Sequence, residues 1–174
     1  ILILLLGVGA ILKRHWWVLG LLSFLYVYIY SAPHLLPVVA FLASAVYSAK
    51  EKRLAWEPFV FSLGGMVAGL VVNPYFPGDI HYLYTVTFKM AVRQVSSTSI
   101  VPGELLPLSG WQILVFNLVS LVLLFLGAMA VFVTGRKLSA RSLFLFVTDV
   151  FFFVLLMRSL RFAEYWPFIA SLCV

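Results

Sequence analysis

Four basic residues in this 174-residue chain are spaced for work on phosphate. Arg158 and Arg161 lie one helical turn apart in MRSLRFAE, and Lys89 and Arg93 lie four residues apart in FKMAVRQ. Residues three or four apart share one face of a helix. Four such cations converging on one aqueous site would suit a diphosphate or a phosphosugar, through charge-assisted hydrogen bonds. The simpler reading has Arg158 and Arg161 snorkelling to headgroups, with Lys89 and Arg93 touching lipid phosphates from a surface helix. Residue types alone leave the two readings level. His34, Asn73, Asp79, His81 and Glu164 are the polar residues that would support such a site, and Glu164 is three residues from Arg161, close enough to pair with it.

Other chemistries find no footing. No HExxH, P-loop or GxSxG pattern occurs, and His15, His34 and His81 show no metal-ligand spacing, so no metal site is expected in these residues. The single Cys173 excludes an internal disulfide and a cysteine-based zinc or iron–sulfur centre. Asp149, in the middle of LFVTDVFFF, is expected to face other helices, hydrogen-bonded or protonated, because a lipid-facing carboxylate there is costly. Glu57, just before Pro58, reads as a first-turn acid.

The elements that must position these residues are membrane helices. The chain is 64% hydrophobic and 10% charged, with a mean hydropathy of +1.10, which excludes an ordinary water-soluble globule. The expected fold is all-α: a polytopic transmembrane bundle forming a single domain over residues 1–174. It has six apolar runs and a partial seventh, at about 1–12, 16–32, 33–49, 54–73, 111–134, 142–157 and 165–174. No ten-residue alternation suggests barrel strands. Gly65 and Gly69 have the GxxxG spacing of a helix-packing face. The chain opens in ILILLLGVGAIL and stops in FIASLCV, so it reads as a piece of a longer protein.

Charge sets the expected orientation. Basic clusters at 13–15, 50–53 and 135–141 follow the first, third and fifth runs, which makes that side cytoplasmic by the positive-inside rule. The net charge of +6 therefore reflects topology, and no aromatic-interleaved stripe for nucleic acid is present. The outer side receives 31–34, about 74–110, and 158–166. In NPYFPGDIHYLY the prolines and the Pro-Gly step stop a helix, and Asp79 is placed to cap a new one. Apolar residues Ile80, Leu83, Tyr84, Thr87, Met90 and Ala91 then define one face. The spacing predicts a helix over about 80–95 lying in the outer interface, with Lys89 and Arg93 on its wetter side.

SAPHLLPVVAFLA with KEKR after it, GLVVNPYFPGDIHYLY and RSLRFAEYWPFIA together resemble the membrane domain of GT-C-type glycosyltransferases and their relatives. The resemblance covers about two-thirds of the chain, through loose patterns. It implies an integral protein of the prokaryotic inner (cell) membrane that takes a sugar from a polyprenyl-phosphate donor on the extracytoplasmic face. Lys89, Arg93, Arg158 and Arg161 would then hold the lipid phosphate. The family's catalytic acid lies in a first outer loop that has no counterpart here. Any divalent metal would likewise be held by residues outside this segment. The competing expectation is a non-catalytic integral membrane subunit of a larger complex, with lipids and other subunits as its partners. A transporter is disfavoured because no inverted repeat or broken helix pair is evident.

Overall fold

The computed structural model describes residues 1–30, 32–85, 110–134, 138–158 and 160–172, for a few of them, including Asp79, Arg158 and Arg161, by the backbone alone. The described residues are helical and include no strand. They fall into two compact units, Ile1–Arg93 and Gln94–Val174.

In the first unit, α1 (Leu2–Leu12), α2 (Trp16–Ile29), α3 (Leu35–Glu51) and α4 (Glu57–Val72) alternate in direction, and α5 (Gly78–Tyr84) follows a turn. α2 and α4 therefore run parallel, and their contact is the most intimate in the unit. An added methyl group at Gly65 would overlap the carbonyl oxygen of Gly20, and one at Gly69 would come within 2.8 Å of the Phe24 oxygen. The two glycines let the backbones touch, as the GxxxG spacing predicts, while Gly64 faces open space. Ser23 and Ser62, both fully buried, complete the seam with a hydroxyl–hydroxyl hydrogen bond of 2.7 Å. Leu36, Val39, Ala40 and Ala43 of α3 supply much of the apolar core.

One end of this unit is cationic. Arg14 pairs with Glu51, and Arg53 Nε donates to the same carboxylate at 2.7 Å. The Arg14 guanidinium also lies 5.2 Å from the Tyr47 ring centroid, a cation–π distance. The loops 13–15 and 50–53 thus share one end of α1–α4. Arg14 and Lys52 both take left-handed backbone conformations, φ 59° and 52°, at helix ends where glycine is the usual choice.

In the second unit, α6 (Gly110–Thr134) breaks its helical geometry at the buried Asn117. α7 (Ala140–Arg158) leads through a 3-10 helix (Leu160–Glu164) into α8 (Trp166–Ser171), which packs back on α7. Asp149 is fully buried, and its Oδ1 accepts a 2.7 Å hydrogen bond from Trp166 Nε1. The inward, hydrogen-bonded role expected for it is the one it has. Phe152 stacks on Tyr165, and Phe153 meets Trp166, so the corner is filled by rings.

Among the described residues one helix, Ala140–Met157, is long and apolar enough to cross a membrane. Leu2–Leu12, Trp16–Ile29, Glu57–Val72 and Asn117–Val133 are apolar but shorter, against the roughly 20 residues a bilayer core requires. Six runs read from hydropathy therefore exceed what helix length alone supports. The apolar runs continue through turns: the second, about 16–32, ends as helix at Ile29, and the fourth, about 54–73, starts as helix at Glu57.

Candidate functional site

Opposite the cationic end of the first unit, the turn before α3 meets the turn after α4. α4 stops at Asn73, whose extended backbone (φ −62°, ψ 131°) ends the helix ahead of Pro74. Asn73 then organises the turn. Its Oδ1 accepts from the Tyr75 backbone N–H at 3.1 Å, and its carbonyl accepts from the Phe76 N–H at 3.0 Å. Such an Asx turn is the local chemistry that favours asparagine before proline. α5 begins at Gly78, so Asp79 stands inside its first turn rather than ahead of it.

Between these turns lies a hollow of about 470 Å3. Val27, Tyr28, Ile29 and Tyr30 at the end of α2 form one wall; Leu70, Asn73, Pro74 and Tyr75 form another. Pro33 and Leu83 complete it. Tyr30 stacks on Tyr26, with ring centroids 5.2 Å apart, and Phe24 leans on Tyr28. The lining is apolar and aromatic. Asn73 supplies an amide whose oxygen is already committed to the turn, leaving Nδ2 as a donor. A wall of this kind accommodates a lipid chain or stacks on a sugar ring, and the amide can bond a hydroxyl or a phosphate oxygen.

The expected site residues divide. Asn73 lines the hollow. His34, the N-cap of α3, is adjacent to the lining Pro33, and burial pushes its imidazole below the usual value of 6.5. His81 is exposed on α5. Arg158 ends α7 and Arg161 lies in the 3-10 helix, so the two fall in different helical elements, with Glu164 exposed at the end of the second. Lys89 and Arg93, with the rest of the expected 80–95 helix past residue 85, lie outside the described residues, as do the side chains of Asp79, Arg158 and Arg161. Among the described residues no three His, Cys, Asp or Glu side chains form a metal-holding group.

Sequence reasoning missed the α2 wall. Its signal was the aromatic alternation in LYVYIY, the kind of tyrosine enrichment that marks a membrane–water interface.

No family model, curated protein or solved structure matches the chain.

Proposed function

We propose that the chain is a polytopic helical membrane protein that binds a polyprenyl-phosphate-linked sugar at its extracytoplasmic end, in the manner of GT-C-type glycosyltransferases. The observation that carries this reading is the aromatic hollow between the 30–34 and 73–75 turns, at the end of the first unit opposite its basic loops. Large apolar side chains on outward faces, among them Trp17, Phe41, Phe61, Phe125 and Phe132, are exposed on several helices, as lipid contact requires. With the basic end cytoplasmic, the hollow opens where lipid-linked donors are used. In this scheme the prenyl chain lies along the aromatic wall, with the Asn73 amide as a donor to the phosphate or the sugar. Lys89, Arg93, Arg158 and Arg161 are proposed as lipid-phosphate contacts on the strength of their chemistry, since cations stabilise the charge that develops on a departing phosphate.

A second reading, a lipid-holding subunit that does no chemistry, is favoured by one observation. Among the described lining residues there is no carboxylate to serve as a base. Sugar transfer by the full-length protein separates the two, since a subunit binds the lipid without turnover.

Two measurements test the membrane reading and the phosphate site. Cysteines placed at 52 and 97 should label from opposite sides of intact cells, and equal labelling would remove the topology. Arg158→Lys and Arg161→Lys should each weaken binding of a polyprenyl phosphate by about tenfold to a hundredfold, because an ammonium lacks the planar fork of a guanidinium. Unchanged binding in both variants would return these arginines to the role of topology anchors.

A further inference from the structure

The cationic end holds a second hollow. Between α1 and α2 a groove of about 280 Å3 runs along Leu6, Gly9, Val18 and Leu22 and finishes at Lys13 and His15. Leu6 to Lys13 is roughly 10 Å of helix, so the apolar stretch and the cation are a fixed distance apart. Gly9 matters to the shape. A side chain there would meet nothing within 4 Å, so the glycine keeps the space open and is not required by close packing.

Charge at this end is arranged to leave Lys13 to the groove. Arg14, its neighbour, turns away to Glu51 and the Tyr47 ring. Glu51, held between Arg14 and Arg53, is itself occupied, and those two hydrogen bonds keep its carboxyl below the usual range. Five cations (Lys13, Arg14, Lys50, Lys52 and Arg53) face two carboxylates, Glu51 and Glu57, across the two loops. The field at the mouth of the groove is therefore positive, and Lys13 and His15 are both exposed there.

We infer that this groove is a binding site for an anionic phospholipid, with an acyl chain along Leu6, Gly9, Val18 and Leu22 and the phosphate at Lys13 and His15. The inference rests on reading the chain as a membrane protein and is independent of the sugar-transfer site at the other end. A neutral phospholipid carries its own ammonium and gains less from Lys13, so the site discriminates by headgroup charge. An apolar channel and a cation at one end match an amphiphile better than a soluble phosphate, which would gain nothing from the channel.

The test uses the whole chain in phosphatidylcholine vesicles carrying trace spin-labelled phosphatidylglycerol or spin-labelled phosphatidylcholine. Wild-type protein should prefer the anionic probe by about tenfold, the worth of one charge-assisted contact. Gly9→Leu, which fills the groove without altering charge, should abolish the preference. Lys13→Gln should reduce it about tenfold. Lys52→Gln, at the same end but outside the groove, should leave the preference close to the wild-type value, because an exposed charge away from the bound phosphate is screened. Wild-type preference in Gly9→Leu, or equal loss in Lys13→Gln and Lys52→Gln, would overturn the site in favour of a diffuse surface field. A protein that floats with the vesicles but shows no headgroup preference loses this site alone. One that does not float loses the membrane reading with it.

Discussion

The two ends of α1–α4 solve the problem of joining helices in opposite ways. At the basic end, the loops 13–15 and 50–53 are tied by charge: Arg14, Glu51 and Arg53 form a chain, and Arg14 and Lys52 take left-handed backbone geometry at the helix ends. At the other end the turns are shaped by backbone chemistry. Asn73 folds the chain onto itself, prolines stop the helices, and tyrosine rings leave a space unfilled. Closing one end with ion pairs and leaving the other hollow gives the unit a direction. The seam of Gly20, Gly65, Gly69, Ser23 and Ser62 holds both ends in register.

The largest effect should come from breaking that seam. Gly65→Ala places a methyl group on the Gly20 carbonyl oxygen, and overpacking of this kind costs about 3 kcal/mol. The unfolding midpoint in detergent should fall by roughly 6–12 °C, whereas Gly64→Ala, which meets nothing, should leave it unchanged. Next in size is a change confined to the hollow end. Leu70→Trp fills space between the two turns and should weaken binding of a polyprenyl phosphate by about tenfold to a hundredfold. Phosphatidylglycerol preference at the basic end should be unaffected, and parallel loss of both would show that the two ends are not separate sites.

A smaller effect with the opposite sign is expected at the basic end. Lys52→Gly removes a side chain from a left-handed position, and equilibrium unfolding should show a gain of about 1 kcal/mol. The smallest effect is in pH dependence, which should distinguish the ends by window. Burial lowers the His34 value, so below pH 6.5 the unfolded chain takes up a proton that the fold refuses. Stability from that group is present above 6.5 and lost as pH falls through the lowered value. Glu51 is also lowered, by its hydrogen bonds to Arg14 and Arg53, and its contribution begins to fade only below about 4.5. His34→Gln should flatten the upper window alone, and Glu51→Gln the lower, in a titration of unfolding midpoints.

Sequence pattern carried the parts of this architecture that depend on spacing. Gly65 and Gly69 announce a close helix contact because a four-residue step puts both on one face, and Asp149 announces an inward position because a carboxylate in an apolar run is costly unless it is hydrogen-bonded. What pattern did not carry was tertiary. The partner of Asp149 is Trp166, seventeen residues away beyond a 3-10 turn, and no local spacing joins them. The break at Asn117 has no proline or glycine to signal it, inside a run that reads as continuous apolar helix. The hollow escaped for a related reason. Its α2 wall consists of ordinary helix-end residues, and only the approach of the 73–75 turn makes Tyr28 and Tyr30 the side of a hollow. Of the cations proposed for the phosphate, spacing placed Arg158 at the outer end of an apolar helix, and α7 does stop there.

The central claim is that the aromatic hollow receives a polyprenyl phosphate, and photo-crosslinking tests it most directly. A polyprenyl phosphate carrying a diazirine in its chain, illuminated with the full-length protein in vesicles and mapped by peptide mass spectrometry, should label residues 27–30 and 73–75. That labelling should disappear with excess unlabelled polyprenyl phosphate and in Leu70→Trp. Adducts confined to outward apolar residues such as Trp17 and Phe132, unaffected by competitor, would contradict the account and leave the hollow without a ligand.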